Sequence, residues 1–280
     1  MNFSDLMNVQ QLLIKHREHG HNNEEIENSL YLNWFHGGMK EVLDYPLASD
    51  YKASLCQSVN YEGGWVVRRT RIAGLSASVE VTKEGRSRFI SAPLVVPENA
   101  NTLSFEVGDR VLVNPFEAEE IHGFWHVFSP MWIANGLPEE RQRIYFNVKR
   151  GMEREFVHTV CSLSSRSDCW SFKILCGRAE GPRHDVAVAY FPMSLDIQHG
   201  WFGDLLKAIA HLVDGEGPPV TKKLISGVYW APDLSSSHSF GQVLCQRLML
   251  LGKQNDVLED TELWIEKSQQ ALLDVIEGET

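Results

Sequence analysis

Apolar residues recur every three or four positions at the start of the chain. They run from Leu6 to Leu13 behind a candidate helix cap at Ser4, and the pattern stops at Gly20. A second run of the same kind covers residues 26–35 (IENSLYLNWF) and ends in a pair of glycines. Because this spacing places apolar side chains on one face of a helix, two amphipathic helices are predicted here.

Between residues 63 and 129 the pattern changes to short apolar or alternating runs, which are typical of strands. Turn-like residues separate them, the clearest being VPENAN at 96–101. The predicted strands cover residues 65–70, 77–83, 87–92, 109–115 and 123–129. This arrangement favours a small antiparallel sheet or a partial barrel.

Strands and helices alternate in the last part of the chain, which predicts an α/β arrangement there. The predicted strands cover residues 143–149, 170–176 and 185–191, and PPVTKK at 218–223 is predicted to lie in a loop. The predicted helices cover residues 151–164, about 201–213, about 239–251 and about 259–277. The whole pattern predicts an α+β protein with a helical and β-rich part over residues 1–135 and an α/β part over residues 136–280.

Charge and composition narrow the function. A formal net charge of −11 disfavours a general nucleic-acid binder, because such proteins use cationic fields to release counterions. Residues 141–183 nevertheless carry nine Lys or Arg against four Asp or Glu, so an anion site is expected in this region. No apolar run approaches the roughly 20 residues that span a bilayer, and a cytoplasmic protein without a membrane partner is expected. Five cysteines without a CxxC pair are expected to be reduced core residues.

The segment RIYFNVK (143–149) alternates polar and apolar residues. Arg143, Tyr145 and Asn147 are therefore expected to project from one face of a strand, with apolar side chains on the other. That face is either solvated at a sheet edge or built to meet an anion. The composition of the strand does not separate the two interpretations.

Two further cations strengthen the second interpretation. Lys173 stands among apolar neighbours in FKIL, and a buried charge needs a partner. Arg183 precedes the apolar run VAVAYF, and arginine binds phosphate through two parallel hydrogen bonds. Asp185 offers a different explanation, as the partner of Lys173 or Arg183 in a structural ion pair.

The segments that follow add weaker signals. Lys222 and Lys223 are adjacent, so at most one of them is expected to point into a site. Ser239 in SFG (239–241) is a candidate cap for the next helix, whose N-terminus would favour an anion. No HExxH, GxxxxGK[ST], GxGxxG or GxSxG pattern occurs, and no metal or cofactor is expected.

An alternative places the functional surface in the β-rich part and makes the cations structural. Aromatic side chains there would form a peptide groove, although aromatic residues at strand spacing are more often core. The residues are Trp65, Phe89, Trp125 and Trp132.

At these same motifs the chain resembles the HopA-type type III effector family, which also includes the bacterial lyase component of class V lanthipeptide biosynthesis. The resemblance rests on RIYFNVK, FKIL, RHDVAVAYF, P-x-TKKL-x-x-G (219–227) and SFG, which follow one another in the family's order and cover best about residues 123–250. Two positions depart from the family. Leu244 stands where the family commonly has Arg, and Ala231-Pro232-Asp233 replaces its Ala-Glu/Asp-Pro segment.

The resemblance implies a fold similar to phosphothreonine lyases and a metal-independent lyase that removes phosphate from phosphoserine or phosphothreonine in a peptide. The product would be dehydroalanine or dehydrobutyrine, as in the maturation of lanthipeptides, a class of ribosomally made, modified peptides (RiPPs). Under this resemblance, Lys173 would be the base and Tyr145 the acid. The remaining assignments are Arg143, Arg183 and one of Lys222 or Lys223 for the phosphate, and Asn147 and Ser239 for the peptide.

The implied partners are a phosphorylated peptide, a separate kinase and any further biosynthetic subunits. A separate kinase is expected because the chain has no kinase motif. The alternative is a non-catalytic, effector-like protein that keeps the anion pocket to hold a phosphorylated or peptide partner. The two departures from the family pattern favour this alternative.

Overall fold

The computed structural model gives the chain an α+β fold, which confirms the predicted class. It describes residues 3–37, 40–43, 50–51, 54–55, 61–73, 76–99, 106–136, 139–164, 167–180, 183–197, 200–233 and 238–277. Cys56, one of the five cysteines, lies outside the described residues. Of the other four, Cys161, Cys176 and Cys245 are buried, and all four are free thiols as predicted.

The helices are α1 Phe3–Glu18, α2 Asn23–Leu30, α3 Pro130–Asn135, α4 Glu153–Leu163, α5 Gly200–Ile209, α6 Phe240–Leu251, α7 Asn255–Glu259 and α8 Thr261–Glu277. Helix α2 continues as one π-helical turn over Tyr31–Phe35. The predicted helices at the N-terminus and in the last part of the chain are thus confirmed. Within the described residues, no helix is long and apolar enough to cross a bilayer.

The strands are β1 Lys40–Leu43, β2 Glu62–Ala73, β3 Ser76–Lys83, β4 Arg86–Ser91, β5 Val95–Pro97, β6 Arg110–Val113, β7 Glu117–Ile121, β8 Phe124–Phe128, β9 Arg141–Phe146, β10 Ser171–Leu175, β11 Arg178–Glu180, β12 Ala187–Pro192, β13 Lys222–Ile225 and β14 Val228–Asp233. They form a β1-β11 pair, a five-stranded sheet in the order β4-β3-β2-β6-β5 and a seven-stranded sheet in the order β13-β14-β9-β12-β10-β8-β7.

The seven-stranded sheet is antiparallel throughout, and β9 lies near its centre between β14 and β12. Every residue of β9 is buried. The interpretation of this strand as a solvated edge is therefore wrong, because neighbours cover both its edges and packed layers cover both its faces.

Each face of this sheet carries its own apolar core. Ile144 and Phe146 pack into one core with side chains of α4 and α5 and of the five-stranded sheet. Tyr145 and Val188 pack into the other, with side chains of α1, α2, α6 and α8. The predicted alternation along β9 is confirmed, since successive residues enter opposite cores.

Two local predictions were wrong in part. PPVTKK was predicted to be a loop, and residues 218–221 lie outside any strand, but Lys222 and Lys223 open strand β13, which pairs with β14. Of the turn predicted at 96–101, residues 96–97 belong to β5, which pairs with β6, and residues 100–101 lie outside the described residues. Both strands are short and held by partners elsewhere in the chain, so the local sequence carries little strand pattern.

The strands predicted for residues 63–129 do not form one sheet or barrel. Strands β2 to β6 form the five-stranded sheet, whereas β8 belongs to the seven-stranded sheet and pairs there with β10. In sequence, β8 comes before the boundary predicted after residue 135 and β10 comes after it, although the two strands are hydrogen-bonded neighbours.

Candidate functional site

Polar side chains gather on the face of the seven-stranded sheet that α1, α2 and α6 partly cover. The register places Arg143 on β9 opposite Tyr190 on β12. Two residues along, Tyr145 lies opposite Val188, which in turn lies opposite Lys173 on β10. The fold therefore brings three of the predicted residues, Arg143, Tyr145 and Lys173, onto one face.

Asp233, the last residue of β14, joins two arginines of β9. Arg143 Nε donates to Asp233 Oδ1 at 2.7 Å, and Arg141 Nε lies 2.7 Å from Oδ2. The Asp233 side chain is only 1% exposed. Burial would lower the pKa of Arg143, but the phenols of Tyr145 and Tyr190 and the Asp233 carboxylate raise it. Arg143 therefore stays charged and already has a counterion.

Arg183 has a counterion of its own. Its Nε donates to Asp185 Oδ1 at 2.6 Å, and His36 Nδ1 lies 2.7 Å from the same oxygen. All three side chains are more than nine-tenths buried. Burial would raise the pKa of Asp185, but His36 and Arg183 outweigh it and lower that pKa. Asp185 thus forms the structural ion pair that the sequence offered, with Arg183 rather than with Lys173.

Lys173 differs from both arginines. Its side chain is half-buried, and among the described residues its ammonium has neither a hydrogen-bond nor an ion-pair partner. Its Nζ lies 4.6 Å from the centroid of the Phe124 ring, and Arg183 Cζ lies 5.5 Å from the same centroid. Two cations thus approach one aromatic ring, and one of them has no carboxylate. This arrangement suits an anion as the missing partner.

His126 on β8 lies directly opposite Lys173. Burial and the Lys173 charge lower the pKa of His126 to about 4. The imidazole is therefore neutral at pH 7 and adds no positive charge beside the ammonium.

Tyr145, the predicted acid, is enclosed. It is 3% exposed, with its ring centroid 6.0 Å from that of Phe35, and burial raises its pKa. Tyr190 lies on the same face, is only half-buried and has Arg143 Cζ 5.2 Å from its ring centroid. Of the two phenols on adjacent strands, Tyr190 is the more accessible.

The SFG segment begins α6, and its local chemistry explains each residue. The Ser239 hydroxyl accepts from the Gln242 N–H as a helix cap, as predicted, and donates to the Tyr31 phenol at 3.2 Å. A Cβ on Gly241 would lie 2.5 Å from the Phe35 ring, so only glycine fits there. The cap places the α6 N-terminus beside Tyr31, whose pKa burial raises.

Asn147 lies at the end of β9 and binds a loop of its own chain. Its side-chain amide donates to the Glu216 carbonyl at 3.2 Å, and His184 Nδ1 lies 2.8 Å from the same oxygen. Tyr229 holds the loop from the other side by donating to the Gly215 carbonyl at 2.9 Å. The Asn147 amide, which was predicted to bind the peptide, is thus already hydrogen-bonded to the protein's own backbone.

Lys222 and Lys223 lie on edge strand β13 and are exposed. Lys222 pairs with Trp230, which pairs with Ile144, so Lys222 is on the sheet face opposite to Arg143. Lys223 shares the face of Tyr145, but β14 separates the two strands. The fold does not bring either lysine to Lys173.

The aromatic residues of the alternative groove separate. Trp65 and Trp125 are 5% and 3% exposed and belong to the core. Phe89 is 52% exposed and carries Arg69 over its ring, while Trp132 is half-buried against Phe128. These four side chains do not line one groove.

Sequence analysis missed five residues of this site: His36, His126, Arg141, Tyr190 and Asp233. Arg141 comes two residues before the predicted strand 143–149, and extending the alternation would have placed it on the face of Arg143. Tyr190 and His126 occupy predicted strands, and alternation from Val188 and Phe124 would have placed them on the polar face. Asp233 and His36 carry no such signal. Asp233 pairs with the β9 arginines and His36 with Asp185, and these partners are distant in sequence.

No protein-family model matches the chain, and no curated protein matches it. Among solved structures, an effector protein from Pseudomonas syringae pv. syringae strain 61 is similar, with 15% identity and a TM-score of 0.49 over 98% of this chain and 94% of that one. An effector protein from Pseudomonas syringae pv. tomato strain DC3000 is similar at 11% identity and a TM-score of 0.47, over 96% of this chain and 93% of that one. At such identities and scores neither likeness assigns an activity.

Proposed function

We propose that the chain is a lyase that eliminates phosphate from phosphoserine or phosphothreonine in a peptide and leaves dehydroalanine or dehydrobutyrine. The observation that carries the proposal is Lys173, a half-buried ammonium without a counterion among the described residues, next to a second cation over the same ring. A phosphate monoester is an anion of suitable charge for this position.

The charges close to Lys173 and Arg143 support an anionic ligand. Lys173 and the two buried arginine–aspartate clusters together contain four cations and two carboxylates, and both carboxylates are bound by arginines. The cations are Arg141, Arg143, Lys173 and Arg183, and the carboxylates are Asp185 and Asp233. A bound phosphate of charge near −2 would balance these six groups.

The residues have separate roles in the elimination. The Lys173 ammonium first gives its proton to water. The neutral amine then takes the Cα proton, the released electron pair forms the Cα=Cβ bond, and the Cβ–O bond breaks with its electrons leaving on the phosphate. Arg143 and Arg183 stabilise the charge on the departing phosphate. Tyr190 is more accessible than Tyr145 and is therefore the favoured acid that protonates the phosphate. No metal takes part in any of these steps.

The substrate must be phosphorylated before this reaction. Because the chain has no kinase motif, a separate kinase is part of the proposal, along with a peptide as its shared substrate.

The test is mass spectrometry of phosphoserine and phosphothreonine peptides incubated with the protein, with and without EDTA. Elimination removes the mass of phosphoric acid from the peptide. Hydrolysis restores the hydroxyl instead, so its product is heavier than the elimination product by one water. The Lys173→Ala variant is expected to lose at least about 100-fold in rate, the usual contribution of a positioned base. Lys207→Ala is the matched control, since Lys207 is 80% exposed and pairs with Asp204 on α5.

One observation favours a second function, the binding of a phosphorylated partner without turnover. Both arginines are already neutralised by buried carboxylates, which leaves less charge to stabilise a leaving phosphate. Tight binding of the phosphopeptide that depends on Lys173, with no change in its mass, would select this function. If the protein neither binds nor converts the phosphopeptide, both proposed functions are refuted.

A further inference from the structure

A cleft of about 390 Å³ opens beside the anion site. Its walls come from α1, the end of the π-helical turn and the loop after Asp214. The lining includes the apolar residues Leu12, Trp34 and Pro219 and the acidic residues Asp5 and Glu216. No lysine or arginine lines the cleft among the described residues.

The carboxylates of both acidic residues are available to a ligand. In the described part of the chain, neither the Asp5 nor the Glu216 side chain has an ion-pair or hydrogen-bond partner. A lining of apolar and acidic residues matches a side chain with an aliphatic stem and a cationic head, which is the build of lysine and arginine.

Trp34 adds a second feature. It is 9% exposed, and its indole N–H has no acceptor among the described residues. A buried donor without an acceptor is destabilising. Trp34 lines the cleft, where its indole ring would attract a cation.

The cleft and the anion site share a wall. His184 lines the cleft and lies between Arg183 and Asp185 in sequence, while Gly37 lines it and follows His36. A Cβ on Gly37 would lie 2.5 Å from His184 Nε2, so this glycine lets the two segments meet. Because the two sites share these adjacent residues, an extended peptide that advances about 3.3 Å per residue would reach both with residues close together in its sequence.

We infer that this cleft is a subsite for a lysine or arginine side chain of the phosphopeptide that the anion site holds. This inference rests on the proposed function and adds the substrate's sequence preference to it. A metal ion is a poorer occupant, because the described residues contain no group of three metal-binding side chains. The substrate would therefore pair a phosphorylated residue with a basic residue a few positions away.

The test compares phosphopeptides that carry lysine or norleucine at one position, moved from two to four residues on either side of phosphoserine. Norleucine keeps the aliphatic stem and removes the charge. Binding is measured by fluorescence anisotropy with the unsubstituted protein and with peptides whose phosphoserine carries a methyl group in place of its Cα proton, so that elimination cannot consume them. The same peptides lacking phosphate are measured alongside. At one position the lysine peptide is expected to bind roughly tenfold more tightly, the effect of one charge-assisted contact.

The Asp5→Asn/Glu216→Gln double variant is expected to reduce this preference to about twofold or less. Glu84→Gln, an exposed acid in the β3–β4 turn, is the matched control and should keep the full preference. Equal binding of lysine and norleucine peptides at all positions, no binding of any peptide, or a preference that survives the double variant would overturn the subsite.

The two proposals fail separately. Turnover without a lysine preference would refute the subsite and leave the lyase. A lysine preference that depends on Asp5 and Glu216, without loss of phosphoric acid from any peptide by the unsubstituted protein, would refute the lyase and leave the subsite.

Discussion

Asp233→Asn is the perturbation that most directly tests the charge arrangement of this site. The substitution keeps the size of the side chain and removes the negative charge that Arg141 and Arg143 share. Because the Asp233 carboxylate is 1% exposed and the two arginine side chains are 5% and 11% exposed, water cannot replace the lost counterion.

Removing one partner of a buried ion pair usually costs about 3–5 kcal/mol. Two guanidinium groups lose their counterion here, so the upper part of that range is expected. Against a total stability of about 5–15 kcal/mol, such a loss is large. With a urea m-value of about 3 kcal/mol per M, the unfolding midpoint should fall by more than about 1 M.

The assay is urea unfolding followed by tryptophan fluorescence. Asp204→Asn serves as the control, because the Asp204–Lys207 pair is exposed and its loss should not move the midpoint measurably. Added inorganic phosphate should stabilise Asp233→Asn more than the unsubstituted protein, since it would restore a counterion. A midpoint shift below about 0.3 M would refute the reasoning that these arginines depend on Asp233.

Three further outcomes follow from single contacts. Gly241→Ala should lower the Tm, although alanine favours a helix by about 1 kcal/mol, because its Cβ would lie 2.5 Å from Phe35; a higher Tm would contradict this contact. His126→Gln should make the unfolding free energy less dependent on pH between about 4 and 6.5, because the unfolded chain binds a proton there that the folded protein, with its lowered His126 pKa, does not; unchanged slopes in urea titrations would count against it. The pKa of Asp185 is lowered on folding, so its carboxylate stabilises the protein above the unfolded value of about 3.9, and this contribution disappears as pH falls through the folded value. The stability difference between the unsubstituted protein and Asp185→Asn should therefore shrink in acid, and a constant difference would exclude titration of this pair.

Local rules were sufficient for much of the fold. The strand at 143–149 and the helix after Ser239 were predictable, because alternation, helical spacing and capping depend on residues a few positions apart. The same rules placed Arg143 and Tyr145 on one side of β9. They failed for β13, a short strand that lies at the edge of the seven-stranded sheet and pairs there with β14.

The sequence by itself determined the α+β class, the positions of many helices and strands and the concentration of cations between residues 141 and 183. It also offered Asp185, two residues after Arg183, as a counterion. Tertiary structure decided that Asp185 pairs with Arg183 rather than Lys173 and that Asp233 neutralises the β9 arginines, because Asp233 lies 90 residues from Arg143 and His36 is likewise distant from Asp185 in sequence. The strand order also decided that Lys173 faces the polar side without a carboxylate while Lys222 faces the opposite side. Periodicity assigns a residue to one side of its own strand, but only the pairing of strands determines which charges meet across a sheet.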